Sequence, residues 1–155
     1  MDLFKEKYES FLSEFEKGRK MVLSTSLNDH VSSRMMSIVC IDGLFYFQTD
    51  KTFQKYNQLI GNPNVALCAD NIQITGVCKE LGHPMENALF CNVYKACFSG
   101  SFSMYSALKN ERLFEVTPKH VERWKYIDSE PFIETFDIDK QEYTLTKYDG
   151  AYMRK

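Results

Sequence analysis

The segment Val31–Ile60, VSSRMMSIVCIDGLFYFQTDKTFQKYNQLI, decides how this chain folds. Its first part reads as an extended strand, Val31–Ile41, carrying a single arginine, Arg34, among small and apolar residues. Asp42-Gly43 follows, a dipeptide that tolerates positive φ and is the strongest hairpin signal in the sequence. Leu44–Thr49 returns as an aromatic strand closed by a threonine. A short helix comes next, with Asp50 or Thr52 as its cap, Lys51 at its start and Lys55 one turn in, and Gly61-Asn62-Pro63 marks its end.

Upstream, residues 1–17 place Leu3, Phe4, Tyr8, Phe11, Leu12 and Phe15 on one stripe, which predicts an amphipathic helix with Gly18 as its C-cap. From Lys20 the period becomes two: Met21, Leu23 and Thr25 face one way, Val22, Ser24 and Ser26 the other. Asn28-Asp29-His30 is turn material. Downstream, Asn64–Asp70 and Ile72–Leu81 read as two strands, the second with Gly76 at a bulge or a close backbone approach. A helical period occupies 84–110, first after Pro84 and again, past Ser99-Gly100-Ser101, over Phe102–Asn110. Leu113–Val116 is strand-like up to Pro118, and Phe132–Ile138 with Glu142–Tyr148 forms a last pair. About seven short strands with hairpin-length connections predict a mainly β chain, a single antiparallel barrel with helices packed outside.

Composition narrows the function classes. A chain of 155 residues is long enough for one cored domain. With 44% hydrophobic and 26% charged residues it is not a disordered chain. A net charge of −2 gives no basic field for nucleic acid. No apolar run approaches the roughly 20 residues of a membrane helix, and no signal peptide precedes the first acidic residues, so a cytoplasmic location is expected. The five cysteines fit that compartment. Cys40, Cys68 and Cys78 lie in strand-like runs as small buried hydrophobes, and Cys91 and Cys97 have neither CxxC nor zinc-ligand spacing. With His30, His83 and His120 scattered, no metal site is expected.

Arg34, Thr49, Lys51 and Lys55 are placed to converge, across a hairpin and a helix N-terminus, on one small anion such as a phosphate. A lone arginine in an apolar strand needs a partner. A cross-strand carboxylate satisfies it as well as a ligand would, and lysines four apart on a helix share one face that is equally at home in solvent. Both alternatives stand on the residues alone.

The order of features from Met21 to about Leu81 resembles the flavin-binding half of the pyridoxamine 5′-phosphate oxidase-like family, the FMN-binding split barrels. The residues that carry it are Leu23-Ser24-Thr25, Arg34-Met35-Met36-Ser37, Tyr46-Phe47-Gln48-Thr49, Lys51 with Lys55, and Asn62-Pro63-Asn64-Val65-Ala66-Leu67. The run Leu113–Trp124 resembles a late strand of these proteins more weakly. The resemblance implies an antiparallel Greek-key split β-barrel spanning 1–155 as one domain, with FMN as cofactor.

Its phosphate would be held by Arg34, Thr49, Lys51 and Lys55, with Gln48 and Thr52 beside them. Met35, Met36 and Ser37 would run along the isoalloxazine edge, mostly through backbone groups. The resemblance also implies a homodimer with the flavin at the subunit interface, Trp124 being a candidate contribution from the second subunit.

After Phe132 the tail lacks the further arginine and histidine residues of true pyridoxamine phosphate oxidases, so vitamin B6 synthesis is not implied. The expected function is an FMN-dependent oxidoreductase acting on a small molecule. A flavin or electron carrier without turnover and a barrel that binds haem or another ligand are the alternatives. No catalytic triad or essential acid is expected, because the cofactor carries the hydride; His30, His83 and Tyr46 are read first as structural or exposed side chains and second as aids to proton transfer. The 84–110 insertion, with no evident core duty, is expected to set substrate selectivity.

Overall fold

The computed structural model describes residues 2–152. Helix α1 (Leu3–Phe15) leads into β1 (Gly18–Leu27), β2 (His30–Ile41) and β3 (Leu44–Asp50), then α2 (Gln54–Gly61), β4 (Asn64–Ala69) and β5 (Ile72–Gly82). A 3-10 turn (Pro84–Glu86), α3 (Ala88–Cys97) and α4 (Ser99–Tyr105) precede β6 (Glu111–Ile127), β7 (Glu130–Asp137) and β8 (Glu142–Lys147). The strands lie in the order β3-β2-β1-β4-β5-β6-β7-β8, all antiparallel, and β6 also pairs with β3. Six strands thus close into a barrel, and β7 and β8 extend one wall beyond it. The three C-terminal residues of the tail, Met153–Lys155, lie outside the described residues.

Alternation fills the barrel as the period-two reading requires. Met21 and Leu23 of β1, Met36 and Ile38 of β2, Phe45 and Phe47 of β3, and Phe114 and Val116 of β6 are all buried in one cluster. Phe47 and Phe114 sit opposite each other in register and stack with centroids 5.4 Å apart. Asp42 and Gly43 both take positive φ, as the tight hairpin between β2 and β3 demands.

Helix α1 is capped by Asp2, whose side chain accepts from the Phe4 N–H, and lays Phe4, Phe11 and Phe15 on the core. It is fastened by charge as well. The Arg123 guanidinium lies over the Phe11 ring, pairs with Glu14 at 2.6 Å, and donates to the buried Glu134 from Nε at 2.8 Å. The other Glu134 oxygen accepts from the Tyr143 hydroxyl at 2.7 Å. One guanidinium therefore joins α1, β6 and β7, and Tyr143 brings in β8.

Several boundaries differ from the sequence reading, each for a local reason. Glu16, not Gly18, takes the positive φ that ends α1, and Gly18 opens β1, where an added Cβ would lie 2.9 Å from Cys97 Cβ. Lys51 precedes α2 rather than belonging to it, so Lys51 and Lys55 do not share a helix face. The helix cap is Phe53, with no side-chain bond; Asp50 instead accepts from the Thr52 N–H and hydroxyl, both at 2.7 Å, in a turn before the helix. Ser99-Gly100-Ser101 starts α4 instead of interrupting it. Cys68 is exposed because it falls on the outward side of β4. Among the described residues there are eight strands, against the about seven expected.

β6 runs straight through Pro118, where the sequence had suggested an end. The proline is tolerated because the ladder with β5 shifts register there: Gly76 faces Pro118 beside a bulge. A Cβ on Gly76 would come within 2.5 Å of the Thr117 carbonyl oxygen, a backbone atom that cannot swing aside. Gly76→Ala is therefore expected to cost about 2 kcal/mol of stability by forcing β5 and β6 apart, read as a lower urea midpoint at unchanged slope.

The 84–110 insertion does have a core duty, contrary to expectation. Phe90 and Tyr94 of α3 pack with Val39 of β2 and Leu113 of β6 in a second buried cluster on the outside of the barrel. His83 staples the base of the insertion: its Nδ1 accepts from the Met85 N–H at 3.1 Å, and its Nε2 lies 2.8 Å from the Leu108 carbonyl.

Candidate functional site

The ladder between β2 and β3 is only three pairs long, Ile41 with Leu44, Cys40 with Phe45 and Val39 with Tyr46. Beyond Tyr46, β3 leaves β2, while its ladder with β6 runs from Phe45 through Asp50. On its other side β2 stays paired with β1 from His30 to Val39. The Cys40 N–H donates to the Lys17 carbonyl at 2.8 Å on the β1 side, so even-numbered residues of β2 turn their backbone groups to β1 and odd-numbered ones away. Ser33, Met35 and Ser37 consequently present N–H and C=O groups at an edge where no strand is paired. This is the split in the barrel.

Arg34 points to the inner side of that split. Its Nη1 donates to the Leu23 carbonyl at 3.2 Å and to Thr25 Oγ1 at 2.8 Å, and its Nη2 lies 3.4 Å from Gln58 Oε1. All three acceptors are neutral. Among the described residues no carboxylate pairs with Arg34, which removes the cross-strand ion pair as its explanation.

Lys55, at the second position of α2, approaches the same place. Its Nζ lies 3.6 Å from Met36 Sδ and over the Phe53 ring, again without an ion-pair partner among the described residues. Burial lowers the pKa of both cations, and the positive charge of Arg34 lowers that of Lys55 further. Arg34 and Lys55 thus stand near each other as two partly buried cations, neither paired with a carboxylate among the described residues. The uncapped N-terminus of α2 adds its own unpaired N–H groups.

Thr49 lies on the inner face of β3, fully buried, and its hydroxyl has no partner. Gln48 turns to the outer face, where its Oε1 accepts from the buried Ser106 hydroxyl at 2.8 Å while its Nε2 is left unpaired. Buried polar atoms without partners are uncommon in folded proteins.

The structure therefore brings Arg34, Met36, Lys55 and the open backbone of Met35 and Ser37 to one split, with Thr49 on the inner face of the strand that departs from it. Lys51 and Thr52 stand in the exposed turn between β3 and α2. Trp124 is elsewhere in this chain, in the β6–β7 ribbon, packed against Tyr126 and Tyr148.

Of the proton-transfer candidates, Tyr46 donates to Glu115 at 2.9 Å on the outer face, and His83 is committed to its staple. His30 is exposed at the start of β2.

One group was not anticipated. Glu111, the first residue of β6, is 6% exposed and stands in register with Asp50. Burial, then the charge of Asp50, pushes its carboxyl up to about 7, against the pull of Lys55 and His83. No spacing in the sequence marks it, since its burial comes from the returning insertion. A carboxyl whose pKa rises on folding contributes stability that is complete below its unfolded value and lost as pH climbs through the folded one. Glu111→Gln is thus expected to melt higher than the parent protein at pH about 8 and level with it at about 4, the window set by this shift.

No protein-family model matches the sequence, and no curated protein matches it. Solved structures do match. The chain resembles ChuZ of Campylobacter jejuni with a TM-score of 0.71 at 12% identity, over 96% of this chain and 67% of that one. It resembles a putative pyridoxamine 5′-phosphate oxidase from Listeria innocua with a TM-score of 0.55 at 16% identity, over 76% and 94%. The haem storage protein HutZ from Vibrio cholerae matches with a TM-score of 0.58 at 17% identity, over 71% and 89%. An FAD-binding protein is also among the structures similar to this one. The fold is the split barrel of the pyridoxamine 5′-phosphate oxidase-like proteins.

Proposed function

We propose that this chain is an FMN-binding protein of the split-barrel class and serves as an oxidoreductase for a small molecule. The observation that carries the reading is the pairing of two cations, Arg34 and Lys55, that have no carboxylate between them, at the mouth of a split edged by free backbone groups. The cations and the uncapped start of α2 suit a phosphate dianion. The Thr49 hydroxyl gives that phosphate a buried donor. The edge of Ser33, Met35 and Ser37 suits the polar rim of a flat ring, because N–H and C=O groups alternate along it.

Bound there, FMN would supply two-electron chemistry. The chain's own part is to bind, to orient and to keep water from the ring. Backbone N–H groups aimed at the ring favour its anionic reduced form without any titrating side chain.

The reading includes a homodimer. Val31 and Met35, on the outer face of β2 beyond the reach of α3, are 73% and 61% exposed. Beside them a groove of about 380 Å3 runs over β1, β4 and β5, lined by small residues such as Ser24, Ser26, Ala66 and Thr75. A second copy seated on this face would bury that apolar surface and close the split from outside.

The deciding measurement is the absorbance spectrum of freshly purified protein, followed by titration with FMN. Flavin bands that shift on binding, then bleach with NADH or NADPH and return with an acceptor, are the expected result. A colourless protein that takes up no FMN, or a Soret band, overturns the flavin reading. Flavin that binds but stays oxidised with every donor leaves a carrier rather than an enzyme. Light scattering is expected to give twice the chain mass of 18.1 kDa.

A further inference from the structure

Resting on the flavin reading, we infer that Arg112 is a third cation of the phosphate site, reaching it from the side of the split opposite Lys55. With Thr49 it makes the site select a flavin that carries a phosphate over one that does not. The strand registers carry this. Arg112 of β6 is the ladder partner of Thr49 of β3, two residues on from the stacked pair Phe47 and Phe114 that line the barrel interior. Side chains alternate along both strands, so Thr49 and Arg112 lie side by side on that same inner face. Counted on from the last pair of β2 with β3, Val39 with Tyr46, Thr49 stands level with Met36 across the split. Met36 is the residue whose Sδ lies 3.6 Å from Lys55 Nζ. One level of the barrel therefore runs from Lys55 and Met36, over the split, to Thr49 and Arg112. The turn that enters α2 is tied to the same end of β6, because the Lys51 N–H donates to the Asn110 carbonyl at 2.8 Å.

Arg112 is held but not neutralised. Its Nη1 donates to the Lys109 carbonyl at 3.1 Å and to the Glu111 carbonyl at 2.6 Å, backbone acceptors that fix the guanidinium and leave its charge uncompensated. Among the described residues no carboxylate pairs with it, and its Nε and Nη2 make no hydrogen bond. The neighbouring carboxylates are engaged elsewhere. Glu80, in register with Phe114, accepts from the Tyr56 hydroxyl of α2, and Asp50 accepts from Thr52. Next to Arg112 the Thr49 hydroxyl, on a residue 3% exposed, has no partner. A buried hydroxyl and the unused edge of a guanidinium at adjacent positions can donate together to the oxygens of one phosphate. Riboflavin has the same ring and offers them no such acceptor.

The test is titration of the unaltered protein and its variants with FMN and with riboflavin, followed by flavin fluorescence. Arg112→Gln is expected to lower FMN affinity about tenfold and riboflavin affinity less than about twofold. Thr49→Val is expected to lower the preference for FMN about threefold without lowering the urea midpoint, since the hydroxyl it removes has no partner in the protein.

An unchanged preference in either variant overturns the inference. An equal loss for both flavins in Arg112→Gln also overturns it, and leaves Arg112 as a staple of the turn before β6. Should that variant not fold, the same contact is read on the unaltered protein by labelling arginines with phenylglyoxal and mapping the peptides by mass. FMN is expected to shield Arg112 where riboflavin does not, and equal labelling with both overturns the inference. A protein that binds neither flavin, or FMN no more tightly than riboflavin, overturns the phosphate reading itself. A preference lost in Arg34→Ala but kept in Arg112→Gln overturns this inference alone.

Discussion

Arg34→Ala is expected to lower FMN affinity at least about thirtyfold, or ~2 kcal/mol, while leaving the fold intact. The two halves of that expectation come from the same contacts. Arg34 donates only to neutral acceptors, the Leu23 carbonyl, Thr25 and Gln58. Thr25 Oγ1 and Gln58 Oε1 already share a hydrogen bond of 2.6 Å, which survives the arginine's loss. Removing the guanidinium also removes a cation whose pKa burial has lowered. The protein gives up little in stability and the ligand gives up its strongest contact.

Isothermal titration with FMN and a urea melt, run on the same preparation, separate the two. Equal FMN affinity in parent and variant would mean that the phosphate sits elsewhere. A variant that instead unfolds readily would make Arg34 a structural residue.

The other large effect is on stability. Arg123→Ala is expected to cost roughly 3 kcal/mol or more, because it strands a buried carboxylate. Glu134 has a side chain only 4% exposed and takes two contacts from Arg123, at 2.8 and 2.7 Å. After the substitution it keeps the Tyr143 hydroxyl and Lys125, whose Nζ is 3.7 Å away, and nothing in between. Glu14 and the Phe11 ring lose their partner too, so α1 loosens from the barrel. For a chain of this size the melting temperature should fall by about 10 °C. Pairing the change with Glu134→Leu should recover part of the loss, since an apolar pair avoids the stranded charge. A melt within about 2 °C of the parent would show that solvent reaches Glu134 freely.

The parts of the fold that were legible in the sequence are those whose cause is local. Alternation over Met21–Thr25 separated the two faces of β1 correctly, and Asp42-Gly43 placed the hairpin, because side-chain period and backbone φ are settled within a few residues. Pro118 misled for the opposite reason: whether a proline ends a strand depends on what lies opposite. Here that is the bulge at Gly76, forty-odd residues upstream. Cys68 was read as core because an apolar run does not reveal which face a barrel covers.

The insertion was misjudged because its core duty is toward Val39 and Leu113, which are distant in sequence. At the site, Arg34 and Lys55 were legible as cations in unusual company, whereas Lys51 was grouped with them on an assumed helix that begins three residues later. Glu111 was invisible, since its burial and its register with Asp50 arise only when β6 returns to pair with β3.

A run of β2 that lacks a neighbour is also a template on which any stray extended peptide can add itself. Natural edges are guarded by charge, yet Arg34 points inward, and the outward residues Ser33 and Met35 carry none. Whatever fills the split therefore doubles as a guard against misassociation. On the flavin reading proposed above, protein made in flavin-starved cells is expected to clump, and riboflavin in the growth medium is expected to keep it dispersed.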